Sequence, residues 1–194
     1  MNKRIILEVE KLVRKTCGKK SNPFGESAMK FHIDSVVKYA RMLAKKLRVD
    51  EEVVTIAAYL HDFASISDKD LYAEHHIHGA RLATKILKKY HYPKEKIEAV
   101  KHCILTHRAS RAIPRKTAEA KIVASADAMA HFDRLNGLFY VAFITFKMGV
   151  DEGTRWVLGK LERNYKKLLP EGKKMVKNKY EAIKKVLGEE NYES

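Results

Sequence analysis

The sequence predicts an all-α fold, a helical bundle with additional C-terminal helices, on three observations. Apolar residues recur at the three- and four-residue spacing of a helix along nearly the whole chain. The four prolines, Pro23, Pro93, Pro114 and Pro170, each fall where that periodicity breaks. No segment alternates in the manner of a strand, and Asn136-Gly137 lies between helical stretches rather than between β-branched runs.

Taken in order, helices are expected near 2–15, 27–47, 51–62, 74–90, 94–107, 117–133, 136–149, 152–168 and 171–187. Asp50 before Glu51-Glu52-Val53 reads as an N-cap with acids in the first turn, where they meet the positive end of the helix dipole. Pro93 before Lys94-Glu95 marks another start, and Pro114 followed by Thr117 a third. The chain divides into an N-terminal helix and its connection (1–25), a central unit (26–135) and C-terminal helices packing on it (136–194). No internal repeat or low-complexity linker interrupts it.

At 194 residues and 45% hydrophobic composition the chain can bury a core, which excludes a disordered or fibrous protein. No apolar run approaches the roughly 20 residues that span a bilayer. The opening MNKRIILEVEKLVRK interleaves apolar residues with charges and reads as an amphipathic helix rather than a signal peptide, so the expected location is the cytoplasm. Cys17 and Cys103 are too few for a disulfide framework. The net charge of +15 points to an anionic partner, although much of it reads as solvated helix surface with acids close by, as in KKLRVDEE.

All nine histidines lie between His32 and His131, so the expected site belongs to the first two-thirds of the chain and the tail reads as packing helices. Four places set imidazole or carboxylate in an apolar helical context. They are His32, beside a face of Ile33, Val36, Val37, Ala40, Leu43, Ala44 and Leu47; His61-Asp62, after Ala57-Ala58-Tyr59-Leu60; the His75-His76-Ile77-His78 run; and Asp127 within 122–130. A carboxylate buried in such a stretch is costly unless it is paired or coordinates a metal. Neighbours on a helix diverge by about 100°, so His61 and Asp62 reach one ion only over a helix edge, with other helices completing the shell.

The order His32, His61-Asp62, Asp127 resembles the H…HD…D signature of the HD-domain phosphohydrolases. The likeness runs from about Phe31 to about Phe132. It takes in the His75-His76-x-x-Gly79-Ala80 helix start, Val100-x-x-Cys103-Ile104-x-x-His107 and Ser125-Ala126-Asp127-Ala128. The resemblance implies an HD-domain helical bundle over 26–135 and a divalent metal held by His32, His61, Asp62 and Asp127. The metal would be Mn, Fe, Co, Ni, Zn or Mg, one or two ions per chain. Extra histidines serve a second ion in some members. Helical geometry ranks His75 and His107 first, and they join Asp62 as expected catalytic residues, while His91 and His131 read as surface or packing histidines. Asp68, Asp70 and Glu74 are possible acids or bases in no motif position.

The activity so implied is metal-assisted hydrolysis of a phosphoester or phosphoanhydride, of a nucleotide or another small phosphorylated molecule. Arg108, Arg111, Arg115 and Lys116, on the loop after His107, are the expected phosphate-binding cations. Two other classes compete: a basic nucleic-acid-binding helical protein with a vestigial or regulatory metal site, and a di-iron oxygenase on the same scaffold.

Overall fold

The computed structural model describes residues 2–26, 28–108 and 113–188. Among these residues the chain is helical, without strands. Helix α1 (Lys3–Cys17) opens on Asn2, whose side chain accepts from the Ile5 amide, and buries the stripe Ile5, Val9, Val13, Thr16 and Cys17. A π-helical turn, Met29–Ile33, leads directly into α2 (Asp34–Leu47). The face read from the sequence is the buried one as far as Ala44, whereas Leu47 is exposed. There the helix ends at Arg48, which takes the left-handed conformation at φ 55°.

Helix α3 (Glu51–Leu60) starts as its cap predicts: Asp50 Oδ1 accepts from the amides of Glu52 at 2.9 Å and Val53 at 3.1 Å. It is buried almost all round, as is α7 (Ala118–Asp133), and a helix apolar on every side belongs in the centre of a bundle. Helices α2 and α6 (Lys94–Thr106) pack around these two, and α5 (His75–Lys89) packs on α6 and on the short helix that follows Asp62. Gly79 on α5 lets that helix close on the core, since a Cβ there would stand 3.3 Å from Ile104 and 3.5 Å from the His61 carbonyl oxygen.

Three features differ from the expected elements. The segment after Asp62 folds into a short helix, α4 (Phe63–Ser67), and a 3₁₀ turn, Lys69–Leu71. The helix expected at 136–149 divides into α8 (Leu135–Tyr140) and a π turn, Val141–Thr145. Helix α9 (Val150–Lys167) begins two residues earlier than read, and α10 (Pro170–Leu187) follows with Pro170 in its first turn. Both α9 and α10 pack on α7. Gly172 permits the approach of α10, because a Cβ there would lie 2.9 Å from Ser125 Oγ. Ser125 in turn accepts from the Leu169 amide at 3.2 Å, pinning the α9–α10 joint to α7. No helix of the described residues is long and apolar enough to cross a membrane.

Candidate metal centre

The π turn before α2 carries His32. Turns of this kind insert a residue into the helical register and often mark functional sites. The His61-Asp62 pair sits where the chain breaks between α3 and α4. Asp62 leaves helical geometry at φ −107°, ψ 13°, so the 100° divergence of adjacent helical residues does not separate the two side chains. His61 Nε2 and Asp62 Oδ2 are 3.3 Å apart. His75 is the first residue of α5, His107 follows the last of α6, and Asp127 lies midway along α7 between the fully buried Ala126 and Ala128.

These six side chains converge as two groups. His32, His61 and Asp127 form one, and Asp62, His75 and His107 the other, with ligand atoms in each within 4.8 Å of one another. Asp62 joins them. Its Oδ2 lies 3.3 Å from His61 Nε2 and 3.6 Å from His32 Nε2, while its Oδ1 lies 3.2 Å from His75 Nε2 and 3.7 Å from His107 Nε2. Asp127 Oδ1 stands 3.5 Å from His32 Nε2.

The backbone orients the imidazoles. Nδ1 of His61, His75 and His107 lies 2.7, 2.7 and 2.6 Å from the carbonyl oxygens of Ala58, Tyr72 and Ile104, three residues earlier in each case. A carbonyl only accepts, so each ring donates from Nδ1 and turns Nε2 inward, the arrangement that prepares histidine for metal ligation. The Nε2 atoms of His75 and His107 are 3.1 Å apart. Burial pushes His75 down to about 4 and lowers His107 as well, so both are neutral at pH 7 and present facing lone pairs. A cation between them removes that repulsion. The donor set, imidazole nitrogen with carboxylate oxygen, suits a divalent transition metal.

The carboxylates are charged. Burial alone would raise Asp62, but His61 above all, with His32, holds it well below the usual carboxylate range. Asp127 is held down in the same way, against burial, by Lys167, His131 and His32. Burial disfavours charge on His61, yet Asp62 and Asp127 raise it to about 9, so in the metal-free protein it carries the proton that offsets part of their charge.

A two-lobed cleft opens over this centre. One lobe, of about 270 Å³, is walled by side chains that include Phe24, Phe31, Tyr72, Tyr140 and Trp156. The other, also about 270 Å³, is lined by the imidazoles of His75 and His107 and by Arg108, Lys160, Arg163, Asn164 and Lys167. Asp62, Tyr72, His131, Trp156 and Lys160 border both.

This wall differs from the expected one. The site is not confined to the first two-thirds of the chain, because α9 supplies Trp156, Lys160, Arg163, Asn164 and Lys167. Their spacing of three and four residues is visible in the sequence, but a cationic helix face reads the same whether it meets solvent or a cleft. His131 is no bystander: its ring centroid is 4.7 Å from that of His32, and its Nδ1 is 3.7 Å from Asp127 Oδ1. Of the expected phosphate-binding cations, Arg108 borders the cleft while donating to the Ala73 carbonyl. Arg115 instead donates to the carbonyls of Thr106 at 2.9 Å and Arg108 at 3.1 Å, bracing the loop, and Lys116 is exposed outside both lobes. Arg111 lies outside the described residues. His91 is exposed, at φ 51°. Asp68 caps the 3₁₀ turn, Asp70 is exposed and Glu74 faces His76, none of them at the centre.

The HD domain profile matches residues 31–131. A predicted HD superfamily hydrolase from an uncultured Thermotogales bacterium shares the fold, with TM-score 0.63 and 17% identity over 93% of this chain and 87% of that one. Comparison with the curated proteins gives no match. The matched half of the chain opens next to His32, closes on His131 and contains every side chain of the paired groups, and on that match the chain belongs to the HD-domain family.

Proposed function

We propose that the protein is a metal-dependent phosphohydrolase acting on a phosphoester or phosphoanhydride of a small molecule, with a nucleotide as the favoured substrate. The observation that carries the reading is Asp62, whose two oxygens face two His-containing groups at the floor of a cationic cleft. On this reading His32, His61 and Asp127 would hold one divalent ion and Asp62, His75 and His107 a second. When bound, such ions supply Lewis acidity toward a phosphoryl oxygen and make water a stronger acid.

The chain's own residues supply the rest. Nδ1–H donation to backbone carbonyls keeps His61, His75 and His107 aimed inward. Lys167 neutralises Asp127 and also donates to the His107 carbonyl at 2.9 Å, tying one group to the other. Arg108, Lys160 and Arg163 make the polar lobe attractive to an anion. The aromatic lobe beside it suits a flat organic group, and it supports a nucleobase-bearing substrate over a bare phosphate. A pocket of this size favours a small molecule over a nucleic-acid strand.

The test is metal analysis of the purified protein coupled to a phosphate-release screen across nucleotides and generic phosphoesters, with Asp62→Ala beside the wild type. Metal-dependent release abolished by the substitution is the expected result. No release with any divalent metal would sink the proposal. Salt-sensitive nucleic-acid binding that survives Asp62→Ala would favour the nucleic-acid reading instead.

A further inference from the structure

Helix α9 brings to the cleft two polar side chains that the rest of the protein leaves unused. Asn164 is 2% exposed and borders the cationic lobe, yet its Nδ2 has no acceptor among the described residues. A buried amide without a partner is a standing cost that native structures rarely carry without a ligand or water to meet it. One turn earlier, Lys160 holds its ammonium 5.6 Å from the centroid of the Trp156 ring and meets no carboxylate among the described residues. Burial lowers its pKa against the more distant pull of Asp127, and Lys167 adds to the lowering. Lys167 itself is engaged, by Asp127 at 2.7 Å and the His107 carbonyl at 2.9 Å. The spacing 156, 160, 164, 167 puts all four residues on one face of α9.

An ammonium and an amide N–H are donors, and here they converge where Arg163 also reaches the cleft. The complementary ligand carries several acceptor oxygens and negative charge. We propose that Lys160 and Asn164 form a phosphoryl-binding subsite on α9, holding the non-reacting oxygens of the substrate beside the metal centre. The proposal rests on the phosphohydrolase reading and adds the residues of the C-terminal helices that select its anion. The tail of the chain then functions as the recognition wall for a centre built by the preceding helices.

The experiment measures equilibrium binding of inorganic phosphate to the full-length, metal-loaded protein by calorimetry, for the wild type, Lys160→Met and Asn164→Asp. Metal content and melting temperature are recorded for each. Asn164→Asp keeps the shape of the side chain and replaces a donor with a like charge, while the half-buried Lys160 keeps the test open should that variant not fold. The expected result is phosphate affinity lowered roughly ten- to hundredfold in both variants, the loss of a charge-assisted hydrogen bond, with metal content unchanged. Wild-type affinity in both folded, loaded variants, or no phosphate binding by the wild type, would overturn the subsite. Hydrolysis combined with binding indifferent to both substitutions removes the subsite alone. Phosphate bound through these residues without turnover of any ester removes the hydrolytic reading and leaves the subsite standing.

Discussion

Lys167, near the C-terminus of α9, places its ammonium 2.7 Å from Asp127 Oδ2 on α7, and both side chains are buried. Forty residues separate them in sequence, so the pair is a statement about how the last helices dock on the centre. Lys167→Met leaves the Asp127 carboxylate buried without its cation. In metal-free protein this costs about 3–5 kcal/mol, and the cost shrinks with saturating divalent metal because the ion takes over the charge. Denaturant unfolding with chelator and with metal reads both values, and equal losses in the two states would contradict the pairing.

Metal loading is expected to depend on pH through His61. Its pKa is raised to about 9 in the metal-free protein, against an ordinary value of 6.5, so binding a cation through its Nε2 must expel a proton. Apparent affinity therefore climbs as pH rises, by up to ~10-fold per unit for one proton, and levels off above about 9. The stability linkage has the opposite sign. A raised pKa contributes stability that is fully present below 6.5 and lost as pH rises through about 9, so this contribution fades on the alkaline side in chelator. Metal titrations at pH 6.5, 7.5 and 8.5 check the first statement, and a flat affinity profile refutes it.

The joint between α9 and α10 is set by small groups on α7. Ser125→Ala removes the acceptor of the Leu169 amide and is expected to cost about 1 kcal/mol, a fall in Tm of about 2–4 °C. Gly172→Ala drives a Cβ to 2.9 Å from Ser125 Oγ and 3.1 Å from Met129 Sδ, at about 1–3 kcal/mol. In the Ser125→Ala background one of those two clashes is gone. The double mutant is thus expected to lose less than the sum of the singles, and strict additivity in the thermal melts would argue against the contact.

The aromatic lobe has its own signature. Trp156 borders both lobes and packs edge-on against Phe146, with ring centroids 5.6 Å apart. On the proposed reading, Trp156→Ala raises KM for a nucleotide roughly tenfold, the value of one lost stacking or cation–π contact. It leaves KM for a small non-aromatic phosphoester little changed. Steady-state kinetics on the two substrates separate recognition of the base from damage to the centre, which would affect both equally.

Much of the bundle was legible because the physics behind it is local. Helical periodicity, Asp50 as a cap and the prolines at breaks act over a few residues. Asp127 was legible because a carboxylate inside an apolar helix needs a reason. The breaks that aim the candidate ligands were not. The π turn at 29–33 and the return at Asp62 arise where tertiary contacts outweigh the regular helical register, and no propensity over a short window encodes that choice.

The sequence by itself determined that the chain is helical, that its ordered His and Asp residues resemble the signature of the HD-domain family, and that it is strongly basic. Which of those cations border the centre was decided only by tertiary structure. Arg115 turned inward to backbone carbonyls, while Lys160, Asn164 and Lys167 came over the centre on a helix that had read as plain packing. A lysine on an amphipathic face has the same sequence context whether it points to water or to a cleft. Its role follows from what the opposite face of the helix packs against, and here that was set by Ser125 and Gly172 seating α9 and α10 on α7.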